Sequence, residues 1–159
     1  RALMRVPLPQ LLVLNVGKNQ VHSVPPAVGK STALRMLDLS YNQLASLPEW
    51  IGRLTRLESL ALQGNVLHEL PASAAALQRL KALNLDKNKL SRVPPPVVRP
   101  GALKRLYLED NAIVDVPHGI VQLTALHALN LVDNRLVSLP PTIGVMQQLR
   151  ELLLDGNPK

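Results

Sequence analysis

Leu11, Leu34, Leu57, Leu80, Leu103, Leu126 and Leu149 stand 23 residues apart, and so do Asn19, Asn42, Asn65, Asn88, Asn111, Asn134 and Asn157. Pro25, Pro48, Pro71, Pro94, Pro117 and Pro140 keep the same step, and no insertion breaks the register. So regular a period constrains the fold before any local reading. A unit this short cannot bury its own apolar face, so the units must stack. With the first Leu as position 1, the consensus is L-x-x-L-x-L-x-x-N-x-L-x-x-L-P-x-x-I-G-x-L-x-x, clearest in residues 34–56, LRMLDLSYNQLASLPEWIGRLTR. Six full units fill residues 11–148. Residues 1–10 fit the tail of a preceding unit, with Leu8 at the position of Leu54, and residues 149–159 are the first half of a seventh. All 159 residues read as one domain.

Each position has a physical meaning. Around positions 3 to 7 the pattern alternates, as in Met36-Leu37-Asp38-Leu39-Ser40, which predicts a short strand with Leu inward. One strand per unit makes a parallel sheet with neighbours about 4.8 Å apart. Positions 1, 4, 6, 11 and 14 are almost uniformly Leu, Val or Ile and form one aliphatic column. At position 9 the chain leaves the sheet, and a buried Asn carries both donors and an acceptor for the stranded backbone groups. The seven Asn therefore stack as a structural ladder. Pro at position 15 stops any long helix, so the return side is irregular or one short turn. A sheet side wider than the return side bends the stack into a curved horseshoe with a concave sheet face.

This pattern resembles the leucine-rich repeat, and the resemblance covers nearly the whole chain. The 23-residue length with L-P-x-x-I-G-x-L resembles the Ras-group, Scribble- and Erbin-like intracellular class. Ile51-Gly52 and Ile143-Gly144 match it fully and Val28-Gly29 conservatively, whereas Ala74-Ala75, Val97-Val98 and Ile120-Val121 depart from it. The resemblance implies a protein–protein interaction scaffold in intracellular signalling, with no catalysis and no cofactor of its own. The absence of Phe and Cys agrees with an intracellular, cytoplasmic setting, because many extracellular repeats carry a convex Phe and Cys-rich caps. Zero Cys also points to a reducing compartment.

Other chemistries fare poorly. Gly29-Lys30-Ser31-Thr32 resembles the end of a phosphate-binding loop, but the leading Gly is replaced by Val24. Pro25 and Pro26 remove two amide donors that such a loop needs. In register the stretch is a return turn, with polar Ser31 where Leu54 and Leu77 stand, which predicts a weakened core near the N-terminal end. His22 and His68 share position 12 but are two units apart, about 10 Å by strand spacing and too far to share a metal. No apolar run approaches the 18 or so residues of a membrane helix. Neither nucleotide nor metal binding is expected.

The outward sheet face is the candidate partner surface. Positions 3, 5, 7 and 8 carry Asp38, Asp86, Glu109, Asp110, Asp133, Glu151 and Asp155 against Lys18, Lys87 and Arg105. An acidic face of about −4 thus sits on a chain of net charge +7, which suits a partner with a basic surface. Tyr41 and Tyr107 lie in the same face, and Arg105, Tyr107 and Glu109 line one strand with Asn84 and Asn130 beside them; Met36 and Gln63 complete the set. Tyr is a common interface anchor. The alternative is a polyanion- or membrane-surface-binding module using a basic edge ridge of Arg35, Lys81, Lys104 and Arg150 at position 2, Arg53 and Arg99 at position 20 and Arg56 and Arg79 at position 23, although no aromatic residue accompanies it and a solvated ridge is the ordinary account. The apolar layer of Leu152 and Leu154 has no following unit, so a longer chain or a covering molecule is expected.

Overall fold

The computed structural model describes residues 6–99 and 101–158. Seven strands of three residues recur at the sequence period: β1 (Val13–Asn15), β2 (Met36–Asp38), β3 (Ser59–Ala61), β4 (Ala82–Asn84), β5 (Arg105–Tyr107), β6 (Ala128–Asn130) and β7 (Glu151–Leu153). They form one open sheet in sequence order, every pair parallel, each residue beside its counterpart 23 positions on. This is a leucine-rich-repeat solenoid.

Among the described residues the return side carries six 3-10 helices: η1 (Pro26–Lys30), η2 (Glu49–Arg53), η3 (Ala72–Ala76), η4 (Pro95–Val97), η5 (His118–Gln122) and η6 (Pro141–Val145). Each follows the position 15 Pro, which holds extended backbone at the helix entrance. Its fixed φ and missing amide make that residue a natural starting point.

Between sheet and helices lies the aliphatic column. Leu37, Leu39, Leu44, Leu85, Leu106 and Leu131 are fully buried. Burial weakens toward both ends, where Leu14 and Leu152 are only partly covered, as expected when one neighbour is missing.

The asparagines complete the stack. Asn88 donates from Nδ2 to the carbonyls of Leu62, Leu85 and Asp86, and its Oδ1 accepts from the Leu67 amide at 3.0 Å. Asn42, Asn65, Asn111, Asn134 and Asn157 repeat this bridge to the preceding unit. Asn19 is exposed and reaches only its own unit, at Val16 and Gly17.

Ser31 adds a contact that the repeat pattern does not encode. It is buried, and its Oγ accepts from the Leu8 amide at 3.2 Å. Leu8 is itself exposed, so the column of position 21 leucines is not continued beneath Ser31, and the hydroxyl takes a backbone donor there instead. Gly29 is buried against the Trp50 ring. The motif-like stretch therefore closes η1 as a packed turn.

Candidate functional site

The outward face is built from positions 3 and 5 of each strand and from the turn at positions 7 and 8. Strand register places Tyr107 between Asn84 and Asn130, and Arg105 between Ala82 and Ala128. Tyr107 and Asn84 are half-buried, whereas Asn130 is buried with both ends of its amide engaged. Its Nδ2 donates to Glu109 Oε2 at 3.0 Å, and its Oδ1 accepts from the Val132 amide at 3.0 Å. Asn130 is thus part of the frame that holds Glu109.

Position 5 has a role the sequence pattern did not reveal. Asp38, Asn84 and Asn130 each accept the amide two residues on, at Ser40, Asp86 and Val132, at 2.9 to 3.0 Å. These Asx turns end the strands. Tyr107 cannot do the same for Glu109. There Asp86 Oδ1 of the preceding unit accepts the Glu109 amide at 2.7 Å instead. Burial raises the Asp86 carboxyl above its ordinary range, the Glu109 amide bond opposes this, and the nearby Glu109 charge adds to the rise. Asp38, Asp86 and Glu109 are therefore tied into the turn framework.

Position 8 is left-handed in all seven units. Lys18, Tyr41, Lys87, Asp110 and Asp133 have φ of 51° to 56°, and Gly64 and Gly156 fill the same place. A Cβ on Gly64 would meet the Tyr41 ring, so Tyr41 lies over that bare backbone with its remaining surface exposed. Met36 is also exposed, but it and Tyr41 belong to the second unit, three strands and about 14 Å from Tyr107. Gln63 lies between, half-buried, with Oε1 buried and lacking a hydrogen-bond partner among the described residues. Arg105, Asp110, Asp133, Glu151 and Asp155 are exposed. Neither of the two ion pairs among the described residues involves them. Six acids against two bases occupy this face in units four to seven, whereas units one to three hold only Asp38 and Lys18.

The position 2 ridge is less basic than the sequence reading held, because Glu58 shares that column. Its carboxylate pairs with Arg35 at 3.1 Å and Lys81 at 2.6 Å. The Lys81 bond and charge, with a smaller contribution from Arg35, lower the Glu58 pKa. The 23-residue register would have shown this residue between the two cations. Among the described residues no group of three His, Asp or Glu side chains could hold a metal, and no helix is long and apolar enough to cross a membrane.

Comparison with known proteins agrees with this architecture. Residues 5–100 match the family model for a leucine-rich repeat region, and residues 101–158 match a leucine-rich repeat model. No curated protein matches the sequence. A leucine-rich repeat protein of Leptospira interrogans is similar at 36% identity and TM-score 0.85, over 87% of this chain and 36% of that one. The ectodomain of the Arabidopsis thaliana membrane receptor kinase GASSHO1/SCHENGEN3, solved with CASPARIAN STRIP INTEGRITY FACTOR 2, is similar at 33% and 0.84, over 94% of this chain and 19% of that one. The TLR13–ssRNA13 complex is similar at 32% and 0.82, over 94% of this chain and 22% of TLR13. The chain spans little more than a third of the first of these structures and about a fifth of the other two. Period, asparagine ladder, sheet and family match agree, and the chain belongs to the leucine-rich repeat family.

Proposed function

We propose that this chain is a non-catalytic protein-interaction scaffold of the Ras-group, Scribble- and Erbin-like class, working inside the cell. Its partner presents a basic surface to the outward sheet face. The observation that carries this reading is the one-sided charge of that face. The carboxylates of Asp110, Asp133, Glu151 and Asp155 are exposed in units five to seven, the unit of Tyr107 and the two that follow it, and make no ion pair among the described residues. The receptor kinase ectodomain solved with its integrity factor supports an interaction role for the fold. The compartment rests on the absence of Cys and Phe. Fluorescent tagging of the endogenous protein tests it, and an extracellular signal would refute it.

The decisive experiment is affinity capture from native extract with the wild-type chain and with Asp110→Asn/Asp133→Asn/Asp155→Asn. Their carboxylates make no hydrogen bond among the described residues, and the backbone bonds of Asp110, Asp133 and Asp155 do not depend on the side chain, so the fold should survive. Loss of a salt-sensitive partner supports the reading; undiminished capture refutes it.

The TLR13–ssRNA13 complex favours a second reading, in which the basic ridge takes a polyanion. Reversing Lys81, Lys104 and Arg150 tests it through binding to single-stranded RNA and to anionic vesicles, and unchanged affinity for both rejects it.

A further inference from the structure

Four successive return helices pack one on the next, η1 through η4, and η5 packs on η6, but η4 and η5 do not pack together. The gap coincides with a local change in sequence. Unit four reads Pro94-Pro95-Pro96-Val97-Val98 where Ile-Gly is expected, and η4 has three residues where the other helices have five. In the other units the position 21 amide closes the second turn, as Leu54 does on Ile51 and Leu123 on Ile120; unit four has Pro100 at that position, and proline carries no amide hydrogen. Val98 still reaches the η5 backbone. A Cβ added to Gly119 would lie 3.1 Å from Val98 Cγ1, so this side chain bridges the two units.

The result is a cleft of about 480 Å³ lined by Arg92, Val93, Pro95, Val98, Arg99, Asp115, Pro117 and Gln122. That volume lies within the usual range for ligand pockets, about 300–1,000 Å³. Val93 is buried at the floor, and the prolines and Val98 extend the apolar lining. Arg92 and Arg99 are exposed, and no carboxylate among the described residues lies within ion-pair distance of either. Asp115 lines the same cleft, leaving one positive charge in excess. A planar guanidinium with unused donors matches a carboxylate in two-point fashion. An apolar floor under two such groups suits a side chain that is aliphatic beside one that is acidic.

We propose that this cleft is a second docking site, on the return side, for an acidic segment of a partner protein. The segment sets an aliphatic side chain on Val93 and Val98 and gives a neighbouring carboxylate to Arg92 and Arg99. This site is independent of the acidic sheet face and has the opposite charge preference, so one chain would join a basic partner to an acidic one.

The test uses the full chain with labelled valine methyl groups, titrated with three probes: the peptide acetyl-Gly-Leu-Glu-Asp-Leu-Gly-amide, its Gln/Asn counterpart, and acetate. Saturable shifts at Val93 and Val98 are expected with the acidic peptide, and at least about tenfold weaker binding with the neutral one. Arg92→Gln/Arg99→Gln should weaken the acidic peptide by a similar factor. Asp115→Asn should tighten it about threefold by removing a competing carboxylate. Arg56→Gln, outside the cleft, should change nothing. The proposal is overturned if both peptides bind equally, if acetate alone reproduces the shifts, or if Val93 and Val98 do not respond. If the double Arg variant fails to fold, the neutral peptide and Asp115→Asn still decide.

Discussion

Asn88→Ala is the sharpest test of the ladder, because the structure says which atom is orphaned. Asn88 is buried and donates to three carbonyls. Each keeps a second donor: Leu62 receives Asn65 Nδ2, Leu85 receives Asn111 Nδ2, and Asp86 receives the Gly64 amide. The Leu67 amide has no such reserve, since Asn88 Oδ1 is its partner and Leu67 is fully buried. An orphaned buried amide costs about 1–3 kcal/mol, and the deleted carboxamide leaves a small void besides, for a total of about 2–4 kcal/mol. With a urea slope of about 2–3 kcal/mol/M, the midpoint should fall by roughly 1 M. Urea titration followed by far-UV circular dichroism measures this. The internal reference is Asn19→Ala. Asn19 is exposed and bonds only two carbonyls of its own unit, so its loss should cost less than about 1 kcal/mol. Equal costs at the two sites would refute the bridging role and reduce the ladder to a local turn preference.

Other expectations follow from particular contacts. Gly29→Ala puts a Cβ 2.8 Å from Trp50 Cδ2, so the indole must move; a loss of about 1–3 kcal/mol is expected. Trp50 is the single tryptophan, so the shift shows directly in intrinsic fluorescence, and an unchanged spectrum would contradict the packing. Asp86 has a raised pKa in the fold, so its contribution to stability is full below the unfolded carboxylate range and is lost as pH rises through the folded value. Asp86→Asn keeps an acceptor for the Glu109 amide and should raise Tm at pH 7, with the gain shrinking toward pH 3. A gain that grows on acidification would reverse the assigned sign. Glu58→Gln frees Arg35 and Lys81. Thermal stability should barely change, because exposed pairs contribute little. Retention on heparin should rise, and identical elution would show that the ridge does not act as one surface.

The sequence period was enough to place the strands, the Leu column and the Asn bridges of units two to seven, because those positions repeat one environment; the first unit departs from it, with Asn19 exposed. What stayed hidden depends on neighbouring units. The Glu109 amide, which Tyr107 cannot cap, takes its acceptor from Asp86 of the preceding unit. The Leu8 amide reaches the Ser31 hydroxyl, a contact that no repeated position encodes. The departures from Ile-Gly at 97–98 were visible as letters, but that η4 and η5 would part and open a cleft was not. A repeat predicts what each unit shares and is silent on how an exception is absorbed by the next unit.

Position 8 shows how to separate turn chemistry from recognition. Asp tolerates a left-handed backbone better than most residues, which on its own would assign Asp110 and Asp133 to the turn. The other units argue otherwise. Lys18, Tyr41 and Lys87 adopt the same conformation, with φ within a few degrees of the two Asp residues. A place that accepts Lys, Tyr, Gly and Asp alike does not demand a carboxylate. The negative charge in units five and six is therefore free to be set by what meets the face. At Asp38, Asp86 and Glu109 the carboxylates already bind protein groups, so alanine there removes a structural bond together with a charge. Asn at 110, 133 and 155 removes charge alone. The two groups should consequently behave in opposite ways: alanine at 38 or 86 should lower stability and disturb any partner indirectly, whereas the exposed triple should leave Tm within a few degrees and lower partner affinity in low salt. A triple variant that melts early would return these acids to the turn.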